Sequence, residues 1–153
     1  MNTLIIFGAK YLIVVPILVL VYYYWKNIEA RKRILKLTLY ILPASFVLAK
    51  IGSYFLYIPR PFVSDGITPL IQHVADNGFP SDHTLLASAI ASLFLFINRK
   101  WAIWLWVITI IIATSRVLVG VHHTIDVVGS ILISLLVAGM IYSLHKKLNQ
   151  HGE

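Results

Sequence analysis

Ser115-Arg116, His122 and Asp126 fall within the run Ser-Arg-Val-Leu-Val-Gly-Val-His-His-Thr-Ile-Asp, which is otherwise oily. An ionisable group in an apolar helix costs ~2.5–3.5 kcal/mol at the helix centre, so a chain that keeps three of them there has a use for them. Residues four apart share a helix face. A helix starting near His122 therefore lets the Asp126 carboxylate accept a proton from one ring nitrogen. That fixes the tautomer and leaves the other nitrogen as a free nucleophile. His123, three residues before Asp126, competes for the same role. Arg116 brings a planar guanidinium that is always charged and matches phosphate oxygens as a fork. Each feature also has a plainer reading: a His–Asp pair satisfying itself at a helix start, or an arginine snorkelling at a membrane boundary.

A second cluster, Pro80-Ser81-Asp82-His83, reads as a helix start with Ser81 as N-cap and Asp82 in the first turn. The free N–H groups of such a start attract anions, and His83 beside them can hand a proton to a leaving oxygen. A carboxylate next to a bound phosphate repels it, so Asp82 must point away or serve another task. The third cluster is Arg60-Pro61, where Pro59 and Pro61 hold the backbone extended around the arginine. Lys50 lies ten residues earlier, inside an apolar run. Together the clusters offer cations, a helix N-terminus and histidines, which is the equipment of a phosphate-handling site.

The elements that must position these residues are helices in a membrane. The chain has 153 residues, 59% hydrophobic and only 12% charged, against about 25% charged in soluble domains. It has no cysteine, which excludes disulfides and thiolate sites. The net charge of +7 does not imply nucleic acid, because the basic residues sit at the ends of apolar runs. There they act as topology signals and anionic-lipid contacts. Five apolar runs, near 4–25, 37–58, 83–97, 101–119 and 124–144, predict an all-α integral membrane bundle of about five transmembrane helices. The first run lacks a basic leader region and reads as an uncleaved span. Residues 26–36, Arg99-Lys100 and Lys146-Lys147 all fall on one side if every run spans. Assigning that side to the cytoplasm puts the N-terminus outside, the C-terminus inside and the candidate site at the outer face of a cell membrane.

Arg60-Pro61, Pro80-Ser81-Asp82-His83 and Ser115-Arg116…His122…Asp126 resemble, in this order, the three signature motifs of the type-2 phosphatidic acid phosphatase superfamily. The third motif matches in full. The second has aspartate where the family commonly has glycine, and in this it is similar to bacterial undecaprenyl-diphosphate phosphatases of the bacitracin-resistance type. The resemblance implies His122 as the nucleophile that forms a phosphohistidine, Asp126 as its orienter and His83 as general acid. It implies Arg60, Arg116, Ser81 and Lys50 as holders of phosphate oxygens, with Asp82 beside them. It implies no metal and no cofactor, a lipid phosphate as substrate and membrane lipids as surroundings. The family's lysine falls seven residues before its arginine, a position held here by Ser53, with Lys50 one helical turn further back. The motif-bearing core is about residues 50–130 within a single transmembrane phosphatase domain spanning 1–153. Expected substrates are undecaprenyl diphosphate first, then phosphatidylglycerolphosphate or phosphatidic acid. The reading from another class is a non-catalytic lipid-binding or transport protein. The sequence sets no oligomeric state.

Overall fold

The structure is a computed structural model that describes the backbone of residues 2–150 and the side chains of residues 2–144. Among the described residues seven helices follow one another: α1 (Asn2–Lys10), α2 (Val14–Lys26), α3 (Arg31–Phe55), α4 (Pro61–Ser64), α5 (Asp82–Phe94), α6 (Arg99–Leu118) and α7 (Thr124–Gln150). Among the described residues the structure is all-helical, with one isolated bridge between Pro59 and Asn77.

Among the described residues, α3, α6 and the part of α7 from Thr124 to Leu144 are long and apolar enough to cross a membrane. The first apolar run is not one straight helix: α1 and α2 meet at 45° and make a fourth span only if taken together. The run at 83–97 is shorter still, giving the 13 residues of α5. At 1.5 Å per residue such a helix spans ~20 Å, less than a bilayer core. Its sequence suits the centre of a bundle instead. Ala87, Ala89, Ala91, Ser88 and Ser92 are small and fully buried, so α2, α3, α6 and α7 can all pack against it. Leu93 and Phe94, buried with Ile41 of α3 and Leu105 of α6, anchor the main hydrophobic core at the far end of α5.

Large apolar side chains face outward from the long helices, among them Phe46, Val47, Ile110, Ile111, Leu132 and Leu136. In water such a surface would aggregate; in a bilayer it meets lipid tails.

The basic residues of 26–36 and Arg99-Lys100 collect at the end where α5 finishes. Arg33 Nη2 donates to the Phe96 carbonyl at 2.8 Å, and Asn98 Nδ2 donates to the Tyr23 hydroxyl at 3.2 Å. Asn98 also caps α6, accepting from the N–H groups of Lys100 and Trp101. His145, Lys146 and Lys147, part of the charge reading, lie outside the described side chains. The opposite end of the bundle carries the start of α5, the end of α6 and the start of α7, where the three sequence clusters meet.

Candidate active site

Two connections bring Arg60 to His122. Between α3 and α4 the chain runs extended, because Pro59 and Pro61 cannot propagate a helix through Arg60. Asn77 clamps this strand-like piece. Its Oδ1 accepts from the N–H of Ile58 and of Phe79, both at 3.0 Å, and its Nδ2 donates to the carbonyls of Ser53 and Leu56, both at 2.9 Å. Gly78 N–H then donates to the Ile58 carbonyl at 2.8 Å. A Cβ on Gly78 would stand 3.0 Å from Asp126 Oδ2 and 3.1 Å from the Ile58 carbonyl, so the close approach needs glycine.

The turn between α6 and α7 carries His122. Gly120 has φ 77°, the left-handed backbone conformation that lets α6 end and the chain reverse. Asp126, at the third helical position of α7, reaches back to the His123 N–H at 2.8 Å, half of a capping box. The same Oδ2 lies 3.4 Å from His122 Nδ1, so the i, i+4 pair does meet. The shorter contact of that nitrogen is to the Gly78 carbonyl, at 3.0 Å. A carbonyl only accepts, so Nδ1 carries the proton and Nε2 presents its lone pair.

That lone pair faces two guanidiniums. Arg60 Nη1 lies 3.4 Å and Arg116 Nη2 3.3 Å from His122 Nε2. Arg60 and Arg116 are only 5% and 3% exposed, so their charges are held largely out of water. Arg60 is fixed by Asp76 Oδ1 at Nε, 2.7 Å, and by the Val121 carbonyl at Nη1, 2.8 Å. Arg116 is held more loosely, by the Ala9 carbonyl of α1 at 3.3 Å, and its Nε is buried without a protein partner. Unfilled guanidinium donors around an imidazole lone pair are chemically suited to hold a tetrahedral oxyanion. Burial, together with the charges of Arg116 and Arg60, outweighs Asp126 and holds the His122 pKa below its ordinary 6.5. The imidazole is therefore neutral at physiological pH.

The competing histidine is engaged elsewhere. His123 Nε2 contacts the Pro59 carbonyl at 3.2 Å and the Ser64 hydroxyl at 3.3 Å. It ties α4 to the site and leaves Nε2 of His122 alone among the arginines.

Ser81 occupies the N-cap position of α5 but makes no side-chain cap. Its buried Oγ accepts from Thr84 Oγ1 at 3.2 Å, and its N–H donates to the Asp126 carbonyl at 3.3 Å. Ser130 Oγ donates to both the Ser81 and the Asp126 carbonyls, at 3.0 and 2.8 Å. Ser81 thus docks the start of α5 on α7 and leaves the first N–H groups of α5 at the site's edge. His83, half-buried, lies in this first turn and feels the charge of Arg116 and His122.

Lys50 stands apart from this cluster. Lys50 is exposed on the outward face of α3, with Nζ 5.1 Å from the Phe46 ring centre. The family's lysine position, Ser53, is bonded to Asn77 instead. Asp82 is exposed in the first turn of α5, where its carboxylate attracts the guanidiniums and repels a bound phosphate. Sequence reasoning overlooked Asn77, the Gly78 carbonyl and His73, whose ring centre lies 6.2 Å from that of His122. Among the described residues, no group of three His, Cys, Asp or Glu side chains is arranged to hold a metal ion.

An apolar helical bundle that holds a free imidazole nitrogen between two buried guanidiniums at one end defines a membrane enzyme of phosphate chemistry. The chain belongs to the PAP2 superfamily, whose family model matches residues 33–150, and it is a lipid phosphate phosphatase. It is 37% identical over 150 residues to the putative undecaprenyl-diphosphatase YbjG of Escherichia coli, covering 97% of this chain and 73% of that one. It is 32% identical over 143 residues to the undecaprenyl-diphosphatase BcrC of Bacillus subtilis, covering 93% of this chain and 74% of the relative. Its fold matches the crystal structure of a transmembrane PAP2-type phosphatidylglycerolphosphate phosphatase from Bacillus subtilis. That match has a TM-score of 0.68 at 22% identity and covers 96% of this chain and 75% of the other.

Proposed function

We propose that this phosphatase hydrolyses a lipid diphosphate, undecaprenyl diphosphate, through a phosphohistidine on His122 at the outer face of the cell membrane. The observation that carries the mechanism is the orientation of His122, with Nδ1–H on the Gly78 carbonyl and Nε2 between Arg60 and Arg116. The terminal phosphoryl group sits against both guanidiniums. His122 Nε2 forms a bond to phosphorus as the bond to the bridging oxygen breaks, and His83 gives that oxygen its proton. The lipid monophosphate leaves. Water then attacks phosphorus, His83 takes a water proton, and the N–P bond breaks to release inorganic phosphate and restore His122. Throughout, Arg60, Arg116 and the first turn of α5 at Ser81 neutralise the equatorial oxygens. The phosphate's own charge favours the protonated form of His83 beside it.

The substrate assignment rests on relatives at 32–37% identity that are named undecaprenyl-diphosphatases. The test is phosphate release by the purified protein in detergent, comparing undecaprenyl diphosphate, phosphatidylglycerolphosphate and phosphatidic acid. The expected kcat/KM favours the diphosphate by about tenfold or more, roughly 1.4 kcal/mol of differential transition-state binding. Equal or higher turnover of phosphatidylglycerolphosphate would move the assignment to that lipid. No release from any of them would leave a lipid-binding protein.

In the membrane, residues 1–153 act as one phosphatase domain in which the chain passes between the two faces five times, through the bent pair α1–α2, α3, the short α5 enclosed by its neighbours, α6 and α7. The basic ends of α2, α3 and α6 face the cytoplasm. The natural absence of cysteine makes this testable. Single cysteines at the exposed positions Gln72 and Val74 should react with a membrane-impermeant maleimide added to intact cells. Labelling only after access to the cytoplasmic side would reverse the orientation.

A further inference from the structure

We propose that His73 is a further phosphate-contacting residue beside Arg60 and Arg116, supplying the cationic contact that the missing lysine does not. The inference rests on the phosphatase reading above and adds a residue to the same site. Ser53 holds the family's lysine position and is bonded to Asn77, while Lys50 lies over Phe46 on the outer face of α3. That leaves two guanidiniums for a phosphate group that carries up to two negative charges and is still bonded to its leaving group.

His73 stands where a further contact is needed. Its ring meets that of His122 edge-on, with centres 6.2 Å apart. The loop that carries it is pinned on both sides. Leu70 N–H donates to the Val119 carbonyl at 2.9 Å, and Ile71 is buried with Ala9, Val119 and Val121. Beyond it, Asp76 holds Arg60 and Asn77 holds the extended segment. His73 is thus presented to the site from an anchored loop rather than left on a free one. Its Nδ1 reaches only the carbonyl of its neighbour Val74, at 3.3 Å, and among the described residues Nε2 has no hydrogen-bond partner.

Electrostatics agree with this placement. His73 is exposed on one side; its partial desolvation and the nearby Arg60 and Arg116 depress its pKa, opposed by the Val74 carbonyl and Asp76. A phosphate arriving between His73 and the arginines reverses the dominant charge. His73 then gains a proton on binding, and Nε2–H donates to a phosphate oxygen while Nδ1–H stays on Val74.

The test uses orthovanadate, a phosphate mimic, with the full-length protein. His73→Ala should raise both the vanadate inhibition constant and KM for the lipid diphosphate roughly ten- to a hundredfold, the loss of one hydrogen bond to a charged group. The kcat should stay within about threefold, because the contact exists before and during the reaction. His73→Lys, which restores a cation, should recover part of the affinity. A His73→Ala variant with unchanged vanadate affinity and KM overturns the proposal. So does a fall in kcat alone, which would place His73 in the chemical step. If the wild type binds vanadate but hydrolyses no lipid diphosphate, the substrate reading fails, while loss of vanadate affinity in His73→Ala still supports this contact.

Discussion

His122→Ala is expected to abolish phosphate release, lowering kcat by on the order of 10⁴ or more while the protein still folds. The side chain is buried but polar, and its partners keep others: Arg60 retains Asp76 and the Val121 carbonyl, and Asp126 retains the His123 N–H. The loss is therefore chemical rather than structural. Brief reaction with a lipid diphosphate labelled on its terminal phosphate, quenched in alkali, should trap label on the wild type. That label should be stable to base and released by acid, as a P–N bond requires, and absent from His122→Ala. Release that survives the substitution would sink the nucleophile assignment.

The same residue sets the acid side of the pH profile. Burial lowers the His122 pKa below 6.5, Arg116 and Arg60 push it the same way, and Asp126 opposes them. Attack needs the neutral imidazole, so kcat/KM should rise with pH along a limb whose midpoint lies below 6.5. Arg116→Gln removes one depressing charge and should move that midpoint upward. A midpoint above 6.5 in the wild type would mean that the limb reports another group.

The parts of the site legible in the sequence are those built from local spacing. His122 and Asp126 are one helical turn apart, and Ser81 begins a helix, so a one-dimensional pattern carries them. Arg116 was legible as a charge too costly to keep in an oily stretch for nothing, and Arg60 as an arginine held extended between two prolines. What could not be read is how distant segments close on one another. The Gly78 carbonyl that orients His122 is 44 residues away from it, and the Ala9 carbonyl that touches Arg116 is 107 away. An asparagine such as Asn77, in a polar loop beside glycine, looks like turn chemistry. Only the folded arrangement shows it bonding to Ser53, Leu56, Ile58 and Phe79 at once. Lys50 misled for a related reason: a lysine in an apolar run is costly whichever way it points, and the pattern does not say which face of α3 meets the site. The apolar runs were legible as helices, and the 83–97 run as a short one, but not the bend after Lys10 or the enclosure of α5 at the bundle centre. Both depend on packing: α1 lies across the end of α6, and α5 is enclosed by its neighbours.

Arg116→Lys separates charge from geometry and should lower kcat/KM on the order of 10²–10³ despite conserving the charge. Arg116 reaches Ala9 with one terminal nitrogen and His122 with the other, leaving Nε buried and unpartnered. Its planar fork can therefore turn donors toward phosphate oxygens without giving up its anchor. A lysine ammonium is a point charge that cannot bridge the Ala9 carbonyl and the phosphate in one plane. The corresponding change at Arg60 is a poorer test, because it also breaks the 2.7 Å ion pair to Asp76 and the bond to Val121 that hold the loop and the α6–α7 turn together. Arg60→Lys should therefore lower Tm as well as activity, whereas Arg116→Lys should leave Tm within a few degrees. The discriminating measurement is kcat and KM beside Tm for both variants. An Arg116→Lys enzyme with near wild-type kcat/KM would mean that this cation acts by charge alone, and the guanidinium pair would then reduce to the field around His122.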